Sequence, residues 1–70
     1  MNISISDFET FPRTINGVDK VEYIYKGETK FAKNAIEAIE IPQNVQLIFH
    51  LKDGSTTEAS ANYSIVHIQP

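Results

Sequence analysis

Val45-Gln46-Leu47-Ile48-Phe49-His50-Leu51-Lys52-Asp53-Gly54-Ser55-Thr56-Thr57 is an alternating run that breaks at Asp-Gly and resumes with hydroxyl side chains. Successive strand side chains point to opposite faces, so Val45, Leu47, Phe49 and Leu51 line one apolar face, and Gln46, Ile48, His50 and Lys52 line the other. Asp53-Gly54 between strand-like runs signals a β-hairpin. Loop length then decides the register, because a slip of one residue moves every side chain to the opposite face. A two-residue Asp53-Gly54 loop would set Phe49 against Glu58 and Leu47 against Ser60, placing a carboxylate on the apolar face. A three-residue loop, Lys52-Asp53-Gly54, puts glycine at a left-handed position, where it costs least. The expected pairs are then Leu51–Ser55, Phe49–Thr57, Leu47–Ala59 and Val45–Ala61, with His50–Thr56 and Ile48–Glu58 on the other face. This register sets small or apolar residues against large apolar ones, and it is the one expected.

The rest of the chain has the same bias. Ten isoleucines and four valines stand against two leucines. β-Branched side chains are stiff at χ1 and fit a pleated surface. The expected class is therefore mostly β: a small antiparallel sheet of about five to six short strands curled into a barrel or sandwich, with at most one helical turn near 34–38. Seventy residues (1–70) make a single domain that buries only about 60 % of its unfolded surface. Stability must come from a compact sheet core or from self-association. With no cysteine there is no disulfide and no thiolate metal site, and two histidines fall short of a structural zinc set. No cofactor or metal is expected.

Outward from the hairpin, Ile3-Ser4-Ile5-Ser6 reads as a first strand. Asp7 to Pro12 reads as an edge or bulge, because Pro12 cannot donate to a ladder. Ile15-Asn16-Gly17-Val18 carries the type I′ hairpin signature; Ile15 would face Val18 and Arg13 would oppose Lys20, a like-charge pair. Val18–Lys26 is expected as a central strand, with Val21, Tyr23 and Tyr25 on one face and Glu22, Ile24 and Lys26 on the other. Gly27 starts a turn of two readings. A Gly27-Glu28 loop pairs Ile24 with Phe31 and Glu22 with Lys33. A Tyr25-Lys26-Gly27 loop pairs Val21 with Phe31 and Glu22 with Lys30. Both satisfy the charges, and Thr29–Lys33 is a strand in either. Asn34 is a good helix N-cap, with Ile36 and Ile39 three apart, so a helical turn at 34–38 should pass into a short strand at 39–41. Pro42-Gln43-Asn44 closes that segment. Ala61-Asn62 turns the chain into a last strand, Tyr63–Gln69, with Val66 and Ile68 on one face and Ile65 and His67 on the other. The strands at Ile3–Ile5 and Tyr63–Ile68 are expected at sheet margins, where an unpaired edge can accept another chain.

The sequence carries no catalytic signature. His50 and His67 would be neighbours if the last strand lay beside Val45–Leu51, but no third ligand stands at a metal-binding spacing. Ser55, Thr56 and Thr57 follow a turn with no base placed beside them. Asp7/Glu9 and Glu37/Glu40 read as solvated carboxylates. The three glycines each explain a turn, leaving no phosphate-cradling loop. The protein is expected not to be an enzyme.

Charge is uneven. Positions 13–33 hold five of the six basic residues and three carboxylates, a net of +2, while the remainder nets −5. Within the basic stretch, Lys20, Lys26, Lys30 and Lys33 interleave with Tyr23, Tyr25 and Phe31. Such a pattern can hold phosphates and stack bases on a small barrel. An acidic pI of about 5.1 weighs against nucleic acid. No apolar run is long enough to span a membrane. Met1-Asn2-Ile3-Ser4 lacks the regions of a secretory signal, so a cytoplasmic location is expected. The expected function is a small protein-binding module, an inhibitor or accessory factor of the kind that compact mobile-element genomes encode. Its alternatives are a barrel binding single-stranded nucleic acid through 20–33, or a homo-oligomeric structural subunit.

Overall fold

The computed structural model describes residues 1–70 apart from Phe8 and Thr10. Its hairpin has the expected register. Strands β5 (Leu47–Leu51) and β6 (Thr56–Ala59) pair Leu47 with Ala59, Ile48 with Glu58, Phe49 with Thr57 and His50 with Thr56. Gly54 takes φ +90°, its N–H donates to the Leu51 carbonyl at 3.0 Å, and Leu51 N–H donates to the Ser55 carbonyl at 2.9 Å. β6 stops at Ala59, so the expected Val45–Ala61 pair lies beyond the ladder, yet Val45 is still buried.

The other strands are β1 (Asn2–Ser6), β2 (Arg13–Ile15), β3 (Val18–Tyr25), β4 (Glu28–Ala32) and β7 (Ser64–Gln69), with one helical turn, α1 (Ala35–Ala38). They form two antiparallel sheets, in the orders β2-β1-β7 and β4-β3-β5-β6. The sheets are not closed into a barrel; they pack in the manner of a sandwich. Ile3, Ile5 and Ile15 from the first sheet and Val18, Val21, Leu47 and Phe49 from the second belong to one buried cluster.

Asn16-Gly17 departs from the expected hairpin. A type I′ turn needs positive φ at both central residues. Gly17 has φ +68°, but Asn16 is not among the residues with positive φ. The peptide groups of Gly17 are used between sheets instead: its N–H donates to Asn2 Oδ1 at 3.1 Å and its carbonyl accepts from Lys52 N–H at 2.9 Å. The chain thus leaves one sheet at Ile15 and enters the other at Val18, which gives seven strands among the described residues instead of five or six. Arg13 lies across from Ile5 and Lys20 across from His50, so the expected like-charge pair does not form.

The turn after β3 follows neither expected reading. Its two-residue loop is Lys26-Gly27, with φ +52° and +78°, the left-handed pair a type I′ turn requires. The register sets Val21 against Ala32, Glu22 against Phe31 and Tyr23 against Lys30. The gain is on the core face, where the small Ala32 lies beside Val21 and both are buried.

α1 starts where expected, with Asn34 Oδ1 accepting from Glu37 N–H at 2.9 Å. The strand expected at 39–41 does not form. Glu40 N–H donates to the Glu37 carbonyl and Ile41 N–H to the Ala38 carbonyl, so tight i→i+3 turns consume the amides that a ladder would need. The last strand is also altered. A bulge falls opposite Ser4/Ile5, with Ile65 paired to Ile5 and His67 to Ser4. Val66 is the extra residue, and the alternation restarts after it. Ile65 and Ile68 therefore both pack on the core, while Val66 and His67 are exposed, contrary to the expected faces. β7 is a sheet margin as expected, but β1 is the central strand of its sheet. The edge or bulge expected over 7–12 falls partly on Phe8 and Thr10, outside the described residues; Pro12 directly precedes β2.

Candidate functional site

β3 lies between β4 and β5, so its outward residues Lys20, Glu22 and Ile24 have neighbours on both sides. Across β4, Glu22 faces Phe31 and Ile24 faces Thr29; across β5, Lys20 faces His50 and Glu22 faces Ile48. The result is a connected cluster on the outer face of the four-stranded sheet. Lys20 Nζ lies 5.1 Å from the centroid of the Phe31 ring. Phe31 in turn meets the His50 ring, with centroids 6.3 Å apart and planes inclined by 49°. His50 Nε2 sits 3.0 Å from Glu22 Oε1, and both side chains are partly buried. Phe31 remains 45 % exposed and Ile24 42 % exposed, which is high for large apolar side chains with neighbouring strands on the sheet.

The seven residues singled out by sequence thus separate. Lys20 and Phe31 meet on the outer face. Tyr23 and Tyr25 point to the other side and pack against the core, with Lys30 opposite Tyr23. Lys26 is in the turn, its Nζ 5.3 Å from the Tyr25 ring centroid. Lys33 lies beyond the end of β4, where its backbone N–H donates to Glu37 Oε1. Glu22, Ile24 and His50 complete the cluster and were not among the sequence candidates. Glu22 and Ile24 are on β3 itself, and the β3–β4 hairpin sets Glu22 against Phe31. His50 is brought in by the long-range pairing of β3 with β5, which no local turn announces. His50 and His67 lie in different sheets and are not neighbours.

This arrangement supplies the Phe31 ring, the aliphatic side chains of Ile24 and the half-buried Ile48, a cation and a hydrogen-bonded acid–imidazole pair on an open sheet face. Among the described residues no group of three or more His, Cys, Asp or Glu side chains could hold a metal ion. Nor is any helix long and apolar enough to cross a membrane. The surface is suited to contact with another surface.

A second feature lies at the free margin of the three-stranded sheet. A groove of about 300 Å³ runs between Ile39–Gln43 and β7, lined mainly by Ala38, Ile39, Ile41, Ile65, Val66 and Ile68. It is at the lower limit of small-molecule pockets, and its polar side chains are Gln43 and His67. Ile36 and Ile39, expected to share a helical face, do so in solvent, at 78 % and 76 % exposure.

The Asp53 carboxyl is held below its ordinary titration range. The Ser55 hydroxyl donates to its Oδ1 at 2.6 Å and the Ser55 N–H at 2.8 Å, and both bonds lower its pKa. This belongs to the hairpin turn, away from the cluster. Comparison of the chain with protein-family models, with curated proteins and with solved structures returns no match.

Proposed function

We propose that the chain is a non-enzymatic, cytoplasmic protein-binding module that receives its partner on the outer face of the four-stranded sheet. The observation that supports this reading is the half-exposed Phe31–Ile24 pair beside Lys20 and the Glu22–His50 contact. Protein interfaces place aromatic and aliphatic anchors centrally and surround them with polar groups that fix orientation. Here the anchors sit on rigid, paired strands, so little ordering entropy opposes binding. A surface of this kind affects a partner by occupying it, which suits an inhibitor or accessory factor. The nucleic-acid reading draws less support, because a stacking platform needs successive exposed rings and Phe31 alone faces outward in this region.

The test is affinity purification from the native host, with mass spectrometry and nucleic-acid staining, of the wild type and of a Phe31→Ala/Ile24→Ala variant. A protein recovered with the wild type and reduced at least about tenfold with the variant, as loss of central anchors implies, supports the reading. Equal recovery of the same proteins by both, or recovery of nucleic acid in place of protein, overturns it.

A further inference from the structure

The two sheets have four marginal strands, and they are not alike. β2 carries Arg13 and is only three residues long; β4 carries Glu28 and Lys30; β6 carries Glu58. Charged side chains and short lengths are how sheet margins avoid pairing with other chains. β7 is six residues long, Ser64-Ile65-Val66-His67-Ile68-Gln69, and contains no Lys, Arg, Asp or Glu. One side of β7 is paired to β1. On the other side, among the described residues, no backbone–backbone hydrogen bond joins it to the 38–44 segment across the groove. Asn44 N–H donates to the Ser64 hydroxyl oxygen at 3.3 Å, at the strand's first residue, and leaves the β7 peptide groups on that side without a ladder partner. At this margin stand Ile39, across the groove, and the bulged Val66, at 76 and 56 % exposure.

The geometry points to a second copy of this chain as the occupant of the β7 margin, paired antiparallel to its own β7 about a two-fold axis. Charge argues for a copy. Two antiparallel β7 strands centred between Val66 and His67 set Ser64 against Gln69, Ile65 against Ile68 and Val66 against His67. No carboxylate or ammonium group enters the contact, although each chain carries a net −3 elsewhere. A two-fold pairing is also self-complementary, because each copy supplies the donors and acceptors the other lacks. The product is one six-stranded sheet, β2-β1-β7 continued into its copy. The exposed Ile39 and Val66 of both copies border the new junction. The outer face of the four-stranded sheet lies in the other layer and remains open, so this pairing is independent of the binding surface proposed above.

The experiment is sedimentation velocity from micromolar to millimolar concentration on the wild type, on Val66→Lys and on Phe31→Ser. The wild type is expected to shift with concentration from the 7.9 kDa monomer to a species of twice that mass. Val66→Lys, which adds a margin charge at an exposed position, is expected to weaken the dimer by at least about tenfold. Phe31→Ser is expected to leave it unchanged. Hydrogen exchange on the wild type supplies a reading that no variant can confuse: β7 amides pointing away from β1 should become more protected as concentration rises. A wild type that stays monomeric at millimolar concentration overturns the proposal. So does a dimer that survives Val66→Lys, or one that Phe31→Ser abolishes, or β7 amides whose protection does not depend on concentration.

Discussion

Gly54 and Asp53 show how much of the hairpin rests on single residues. A Cβ at Gly54 would meet nothing within 4 Å, so space does not explain the glycine. The backbone does: at φ +90° an L side chain is strained, and a β-branched residue most of all. Gly54→Val is therefore expected to destabilise the protein by about 1–2 kcal/mol, read as a lower urea midpoint at unchanged slope. Asp53 acts through charge. The Ser55 hydroxyl and amide hold its carboxyl below the usual 3.8. A depressed folded-state value means that the contribution is fully present above pH 3.8 and is lost as pH falls through the folded value. The stability gap between wild type and Asp53→Ala should thus be constant near neutrality and shrink on acidification below pH 4. A gap that stays constant down to pH 2 would refute this role.

Among the elements, α1 shows what a sequence discloses and what it hides. Its start was legible because N-capping is local: Asn34 Oδ1 reaches Glu37 N–H three residues on, and Glu37 Oε1 returns to Lys33 N–H. Its continuation was not, because the amides of 40 and 41 can serve either a ladder or a tight turn, and distant contacts decide. Four residues form no helix unaided. Asn34→Ala should cost about 1 kcal/mol, and the loss should appear first as faster exchange of the Ala38 and Ile39 amides, while those of Leu47–Leu51 hold. The turns divide in the same way. Lys52-Asp53-Gly54 was readable because only one register kept a carboxylate off the apolar face. Asn16-Gly17 misled because the dipeptide permits a hairpin without enforcing one. Lys26-Gly27 was missed because a lysine at φ +52° carries no turn signal of its own. The β7 bulge was invisible because it answers to Ser4 and Ile5, some sixty residues away. The candidate site followed the same rule. Lys20 and Phe31 were in the chosen stretch, and Glu22 meets Phe31 across the local β3–β4 hairpin, but His50 joins them only through the long-range pairing of β3 with β5.

For the whole molecule, the decisive fact is that two sheets share one core. Ile3 and Ile5 of the first sheet and Leu47 and Phe49 of the second are fully buried in the same cluster. The sheets are also tied where Val18 N–H donates to the Met1 carbonyl and Lys52 N–H to the Gly17 carbonyl. Neither sheet can keep its apolar face dry without the other, and the chain has no disulfide to hold a half-unfolded state together. Unfolding should therefore be a single cooperative transition. Ile3→Val removes one methylene from the three-stranded sheet and is expected to cost about 0.5–1.5 kcal/mol. In a domain of this size that lowers the melting temperature by roughly 4–8 °C per kcal/mol. The informative readout lies in the other layer. Amides of Leu47–Leu51, which make no backbone bond to β1, should lose protection by the same free energy as those of Asn2–Ser6. If instead Ile3→Val loosens its own sheet and leaves β5 untouched, or splits the melt in two, the layers fold independently. The rigid outer face on which the proposed partner docks would then owe nothing to the core behind it.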